Sequence, residues 1–151
     1  MPANQVFHTH TALARGLREL LKQLQDRLSL RSPVNVYLAG GMTVHLYTAS
    51  RVTTDVDAEF GGRVHLPNDL GVDQLQVYVL APVDLAVSKI ARFADNDKED
   101  IAALVRLGLT TADEIEQRAI PALAGFVGGQ AMLRLNLRDA VALARKVEAE
   151  R

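Results

Sequence analysis

The most constraining feature of the sequence is a pair of adjacent glycines at positions 40 and 41. A run of β-forming residues, "VNVYLA" at 34–39, leads into the pair, and a short helix-like segment at about 42–48 follows it. Because glycine has no Cβ atom, two in succession permit a tight turn in which backbone N–H groups can approach an anion. The pattern therefore predicts a strand, a tight turn and a helix whose positive N-terminus lies at the turn.

A second segment, "TTDVDAEF" at 53–60, alternates polar and apolar residues, which predicts a strand. The alternation places Asp55 and Asp57 on one face, where two like charges repel each other. A divalent cation relieves that repulsion, and Mg²⁺ prefers one or two carboxylates together with phosphate oxygens. Aspartates at this spacing on a solvent-facing strand are also common, as are Gly-Gly turns. It is their succession that indicates a site for a metal ion and a nucleotide.

The rest of the chain is mostly helical in pattern. Leucines at helical spacing mark an amphipathic first helix, and Thr111 with Glu114 has the spacing of a capping box. Pro121 predicts a break or bend. The predicted helices cover 11–30, 42–48, 82–93, 97–108, 111–121 and from about 133 or 137 to 148, and the predicted strands cover 34–39, 53–60 and 75–80. The predicted fold class is α+β: a small mixed β-sheet with an N-terminal helix and a C-terminal group of helices.

Composition is typical of a globular domain. The 151 residues are 48% hydrophobic and 23% charged, with a formal net charge of −1 at pH 7. A single domain over 1–151 is predicted. The absence of cysteine excludes thiolate zinc sites and a cysteine nucleophile, and the net charge argues against a globally basic nucleic-acid binder. Because the first residues lack a signal-peptide pattern and no apolar run has the length of a membrane span, we predict a cytoplasmic location and no membrane partner.

The order of these motifs resembles the DNA polymerase β-like nucleotidyltransferase superfamily. There a Gly-Gly or Gly-Ser turn precedes a strand bearing D-x-D or D-x-E, and "AGG" at 39–41 and "TTDVD" at 53–57 are similar to those motifs. The match is closest to small bacterial members of the minimal-nucleotidyltransferase and AbiEii-toxin-like groups, and the segment "VLAPVDLAVSKIARFADNDKEDIAAL" at 79–104 is similar to one in the AbiEii-like group. The resemblance covers about 34–107 and implies a nucleotidyltransferase-like core there, with 108–151 as a C-terminal helical part.

The resemblance assigns roles to individual residues. It implies that Gly40 and Gly41 bind the triphosphate, and that Asp55 and Asp57 are catalytic and bind Mg²⁺ or Mn²⁺. It implies that Lys89, on the helix after the third predicted strand, is also catalytic and contacts the nucleotide phosphates or the acceptor. The remaining candidates are Arg51 and Thr54 for nucleotide binding, and Asp73, Asp97 and Asp100 as further acids.

Several of these residues also have a purely structural interpretation. Lys89 could be an ordinary lysine whose stem lies along apolar surface. Asp97 and Asp100 could simply complement the start of a helix. For the two aspartates we favour the structural interpretation.

The function that the resemblance implies is metal-dependent transfer of a nucleoside monophosphate from a nucleoside triphosphate to a hydroxyl acceptor on RNA, such as tRNA, or on protein. It also suggests the toxin of a toxin–antitoxin pair, with a cognate antitoxin as partner. One departure stands out: superfamily enzymes add a third carboxylate from a neighbouring strand, whereas "LQVYVL" has Gln76 and Tyr78 there. This leaves open a catalytically weak module of the same fold that binds a nucleotide, RNA or protein. A purely structural or oligomerisation role for the helical half ranks last.

Overall fold

The computed structural model describes residues 6–49, 63–66, 72–126 and 128–151. The predicted strand at 53–60, with Thr54, Asp55 and Asp57, lies outside the described residues, as does Arg51. The chain divides into two compact units, Met1–Leu80 and Ala81–Arg151. One domain over 1–151 stays a prediction.

The described elements confirm the α+β class. The helices are α1 Ala12–Leu28, α2 Gly40–Thr48, α3 Pro82–Ser88, α4 Asp95–Arg106, α5 Ala112–Ala124 and α6 Gln130–Ala149. The strands are β1 Val34–Leu38, β2 Arg63–His65 and β3 Leu75–Leu80. None of the described helices is long and apolar enough to cross a membrane.

The first unit contains a three-stranded sheet with the order β1-β3-β2. Strand β1 runs parallel to β3, pairing Val34 with Leu75, and β2 runs antiparallel to β3, pairing His65 with Tyr78. Alternation along β3 buries one face of the sheet and leaves Gln76 and Tyr78 half-buried on the other. The core of this unit includes Leu17, Leu21, Leu38, Val44, Leu46, Leu66, Leu75, Val77 and Val79.

The second unit is helical. Helices α4 and α5 both pack on α6, and α3 packs on α5. The Thr111 hydroxyl accepts a hydrogen bond from Glu114 N–H at 3.2 Å, and the Glu114 carboxylate accepts one from Thr111 N–H at 3.0 Å, which confirms the predicted capping box. The core of this unit includes Leu85, Ile90, Ile101, Leu104, Val105, Ile115, Ala140 and Ala144.

Several predicted boundaries were wrong. Strand β2 falls between the predicted strands 53–60 and 75–80, where the sequence predicts no strand, because three residues are too few for a periodic pattern. Helix α5 continues through Pro121 to Ala124, since one missing N–H removes a single helical hydrogen bond while the rest of the helix stays packed. Helix α6 begins at Gln130, and α3 ends at Ser88, five residues earlier than predicted.

Candidate functional site

The Gly40–Gly41 pair lies where β1 gives way to α2, as the sequence predicts, but the helix begins at Gly40 rather than at about 42, so the glycine turn is its first turn. The backbone of Gly40 has φ of +67°, a left-handed conformation that glycine adopts at little cost. The preceding residue, Ala39, is the N-cap of α2 and has no polar side chain to accept a hydrogen bond from the first turn. The N-cap residue therefore provides no side-chain acceptor for the N-terminal N–H groups of α2, and the helix dipole makes this end attractive to an anion.

Thr43 adds a buried donor to the first turn of the same helix. Its side chain is fully buried, and its Oγ1 has no hydrogen-bond partner within the part of the chain that the structure describes. A buried hydroxyl without a partner costs about 1–3 kcal/mol. Sequence reasoning missed Thr43, because a threonine in an apolar helix looks like any other packed residue.

The rest of α2 is tied firmly into the first unit. The Tyr47 hydroxyl donates a hydrogen bond to the carbonyl oxygen of Leu80 at 2.8 Å, and burial raises the pKa of Tyr47 above its ordinary value. The Oγ1 of Thr11, which also caps α1 by accepting from Ala14 N–H, lies 2.7 Å from His45 Nε2. These contacts fix the helix whose N-terminus carries the glycine turn.

Four charged residues form a second polar feature, an ion cluster made of Lys89, Arg92, Asp97 and Asp100 in the second unit. The Nζ of Lys89 lies 3.0 Å from Asp100 Oδ2 and 3.9 Å from Asp97 Oδ1. Arg92 holds Asp97 with two hydrogen bonds of 2.7 Å, one to each carboxylate oxygen. Lys89, Asp97 and Asp100 are buried, with 7%, 1% and 3% of their surface exposed. Two cations thus balance two anions.

Asp97 also fixes the start of α4, as the structural interpretation of this residue predicts. Its Oδ2 accepts a hydrogen bond from Ala94 N–H at 2.9 Å. Burial alone would raise the pKa of Asp97, but the hydrogen bonds from Arg92 and Ala94 N–H and the charges of Arg92 and Lys89 outweigh burial and lower it.

The position of Lys89 differs from the prediction. It is the C-cap of α3 and begins a turn, rather than lying within a helix that continues to residue 93. The physical reason is the competing start of α4: Phe93 takes a left-handed conformation with φ of +50°, and Asp97 anchors the next residue, Ala94. Sequence reasoning also missed Arg92, although an arginine five residues before an aspartate at a helix start was a visible signal.

Asp73 is not brought to the glycine turn. It is exposed and precedes β3, whereas Gly40 lies two residues after Leu38, the last residue of β1, which pairs with Val79 near the other end of β3. At about 3.3 Å per strand residue, roughly 20 Å of sheet separates the two positions. The half-buried face of β3 carries Gln76 and Tyr78, so none of the residues Leu75–Leu80 supplies a third carboxylate.

A comparison with known protein families shows to which family this chain belongs. Residues 16–126 match the family described as nucleotidyltransferase of unknown function (DUF6036). The chain belongs to this family. The match includes β1, the glycine turn, β3 and the ion cluster. No curated protein and no solved structure matches the chain. Membership supports a nucleotidyltransferase-like fold and nucleotidyl transfer in general; it does not establish the AbiEii-toxin-like subgroup.

Proposed function

We propose that the protein transfers a nucleoside monophosphate from a nucleoside triphosphate to a hydroxyl group of an acceptor, RNA such as tRNA or protein. The observation that carries the proposal is the N-terminus of α2 in a chain of this family. Gly40 at φ of +67° begins the helix one residue after the strand, and the N-cap residue Ala39 has no side-chain hydrogen bond to the helix. Backbone N–H groups of Gly40 and Gly41 would donate to triphosphate oxygens.

The proposed catalytic carboxylates are Asp55 and Asp57, and Arg51 and Thr54 would assist in binding phosphate. When bound by the two carboxylates, Mg²⁺ or Mn²⁺ would neutralise phosphate charge and activate the acceptor oxygen. The described residues contain no group of three or more acids and histidines suited to a metal ion. The carboxylates of Asp97 and Asp100 face Arg92 and Lys89 instead, so this pair does not fit the role of metal ligands.

Lys89 contributes to the proposed function chiefly by positioning. Its ammonium group already faces Asp100 at 3.0 Å and is 91% buried at its side chain, so little of it is accessible to a phosphate. The salt bridge joins the end of α3 to α4. We propose that Lys89 and Asp100 together fix the junction between α3 and α4. Contact of Lys89 with the nucleotide stays a prediction from the family resemblance.

Label transfer tests the proposal. The protein is incubated with each labelled triphosphate, Mg²⁺ or Mn²⁺, and total RNA or lysate, and label is followed into RNA and protein separately. The expected result is transfer from at least one triphosphate that Asp57→Asn abolishes without unfolding the protein. Asp73→Asn is the matched control, because it also removes one carboxylate but at the distant end of the sheet, and it should retain full transfer. Absence of transfer from a folded sample with every triphosphate would overturn the proposal.

The toxin role is a finer proposal. A nucleotidyltransferase that modifies an essential RNA or protein arrests growth when it is produced without its antitoxin. Induced expression of the wild type should therefore slow growth, expression of Asp57→Asn should not, and co-expression of the adjacent gene should relieve the arrest. Equal growth of the two strains at equal protein levels would contradict the toxin role and leave the transfer activity untouched.

A catalytically weak binding module is the second candidate, and Gln76 and Tyr78 on β3 favour it. Without a third carboxylate, a second metal ion lacks one protein ligand. Calorimetry separates the candidates: triphosphate binding that depends on metal, with turnover far below the typical enzyme value of about 10 per second, identifies the module. Turnover near that value identifies the enzyme.

A further inference from the structure

One face of the β-sheet carries a row of aromatic rings. Tyr37 on β1 is paired with Tyr78 on β3, and Tyr78 is paired with His65 on β2. The ring centroids of the two tyrosines lie 5.4 Å apart at 35°, and the His65 ring meets Tyr78 edge-on, with centroids 4.9 Å apart at 81°. The row therefore crosses all three described strands. The two tyrosines are half-buried and His65 is exposed.

A second row of side chains lies beside the rings on the same face. Asn35 pairs with Gln76 across β1 and β3, and both carry a primary amide. The Asn35 Nδ2 donates a hydrogen bond to the Tyr37 hydroxyl at 3.1 Å, and Gln76 Oε1 lies 3.3 Å from His65 Nε2. Amides, phenols and an imidazole supply both donors and acceptors. We call these two rows the aromatic sheet face, formed by Asn35, Tyr37, His65, Gln76 and Tyr78.

The chemistry of this face suits unpaired bases. None of its five residues is acidic, so a phosphodiester strand meets no repulsion from them. Aromatic rings on a sheet face can stack bases irrespective of sequence, and amides bond base edges. The row spans two inter-strand spacings, about 10 Å, which is longer than one planar base. A strand with successive bases therefore fits the row better than a mononucleotide.

We propose that the aromatic sheet face binds unpaired bases of a single-stranded RNA. This deepens the proposed function by giving the acceptor's class, and it rests on that proposal for its role in the reaction. The proposal also gives a reason for Tyr78. On β3, where the family resemblance implies a third acid, this chain has a ring at the centre of the row.

Binding is tested without metal or triphosphate, so the result does not depend on catalysis. Anisotropy of a labelled short oligouridylate gives the affinity for the wild type and for each variant. Tyr37→Leu and Tyr78→Leu, which keep apolar bulk but remove the π face, should each weaken binding by about 5- to 100-fold. Tyr37→Phe and Tyr78→Phe should remain within about twofold, because the ring persists. Phe126→Leu removes another exposed ring, 43% exposed and in the second unit, and should change nothing.

Tyrosine emission provides a second readout that needs no variant. The chain has three tyrosines and no tryptophan, and the third tyrosine, Tyr47, is 2% exposed. Stacking of bases on Tyr37 and Tyr78 should quench the emission, after correction for absorbance, whereas an abasic strand of equal length should not.

Four results would overturn the proposal: no binding of the oligouridylate, equal binding of the abasic strand, unchanged affinity in both leucine variants, or UTP binding as tightly as the strand. Label transfer to protein with no RNA binding would refute this inference and leave the proposed nucleotidyl transfer standing. RNA binding with no label transfer would do the reverse.

Discussion

The glycine turn of the first unit and the ion cluster of the second unit differ in whether their polar groups have partners within the fold. In the ion cluster each charge has its counter-charge within the fold: Lys89 faces Asp100 at 3.0 Å, and Arg92 grips Asp97 at 2.7 Å. At the glycine turn, the helix has no side-chain cap and the Thr43 hydroxyl has no partner among the described residues. Buried polar groups that are already paired hold a fold together. From this difference we propose a structural role for the ion cluster and a binding role for the turn.

Removal of one cluster charge should have the largest effect. Lys89→Met leaves the buried Asp100 carboxylate without its counter-charge and should lower the free energy of unfolding by about 3–5 kcal/mol. The double variant Lys89→Met/Asp100→Leu removes both charges and should recover most of that loss. Chemical denaturation of the three proteins measures this.

Lys98→Met is the matched control for that experiment, because Lys98 is 45% exposed and its partner Asp95 is open to solvent. It should change stability little. A double variant as unstable as Lys89→Met would show that Lys89 and Asp100 do not form a self-contained pair within the ion cluster. A stable double variant that has lost transfer activity would return Lys89 to a direct catalytic role.

Substitution of Gly40 should lower stability through backbone strain rather than through an unpaired charge. Gly40→Ala forces a Cβ atom into a left-handed backbone and should cost about 1–2 kcal/mol. It should also weaken triphosphate binding, since the N–H groups at the turn shift. Gly108→Ala is the matched control: its φ of +69° imposes the same backbone strain, and the atoms nearest to its Cβ would be those of the Arg151 guanidinium group, the first at 2.8 Å.

Both glycine variants should therefore lose similar stability in thermal melts, but only Gly40→Ala should lose affinity for triphosphate in calorimetry. Equal affinities for triphosphate in the two variants would contradict a binding role for the turn.

The pH dependence of stability should single out Asp97. Its pKa is lowered in the folded protein from the ordinary value of 3.8, so its contribution to stability is complete above that value and is lost as the pH falls through the lower folded pKa. The stability difference between wild type and Asp97→Asn should therefore shrink on acidification below about pH 3.8. Urea unfolding over that range measures it. Asp95→Asn, an exposed carboxylate in the same helical turn, should show no such convergence.

The smallest effect on stability is expected at Thr43. Thr43→Val removes a hydroxyl that has no partner among the described residues and should be neutral or stabilising, within about 1 kcal/mol. Thr11→Val is the contrasting variant, because its hydroxyl caps α1 and meets His45, and it should cost about 1–2 kcal/mol. Destabilisation equal to that of Thr11→Val would show that the hydroxyl is paired.

Elements with local signals were predictable from the sequence. The Gly40–Gly41 turn, the capping box at Thr111 and the strand Leu75–Leu80 depend on neighbouring residues, so their patterns are complete within a few positions. Strand β2 has three residues and exists because β3 pairs with it, so no local pattern reports it. The roles of Asp55 and Asp57 rest on the sequence and the family and stay predictions.

What the sequence by itself determined is the α+β class, the strand, glycine turn and helix order, and membership of a nucleotidyltransferase family. Tertiary structure alone decided which side chains meet. The leucines of α1 illustrate this: all follow helical spacing, yet Leu17 and Leu21 are buried while Leu20 and Leu28 remain 51% exposed. Periodicity defines a face of a helix, whereas only packing decides how much of that face is covered. The same holds for the cross-strand row of Tyr37, Tyr78 and His65, which register created from residues far apart in the chain.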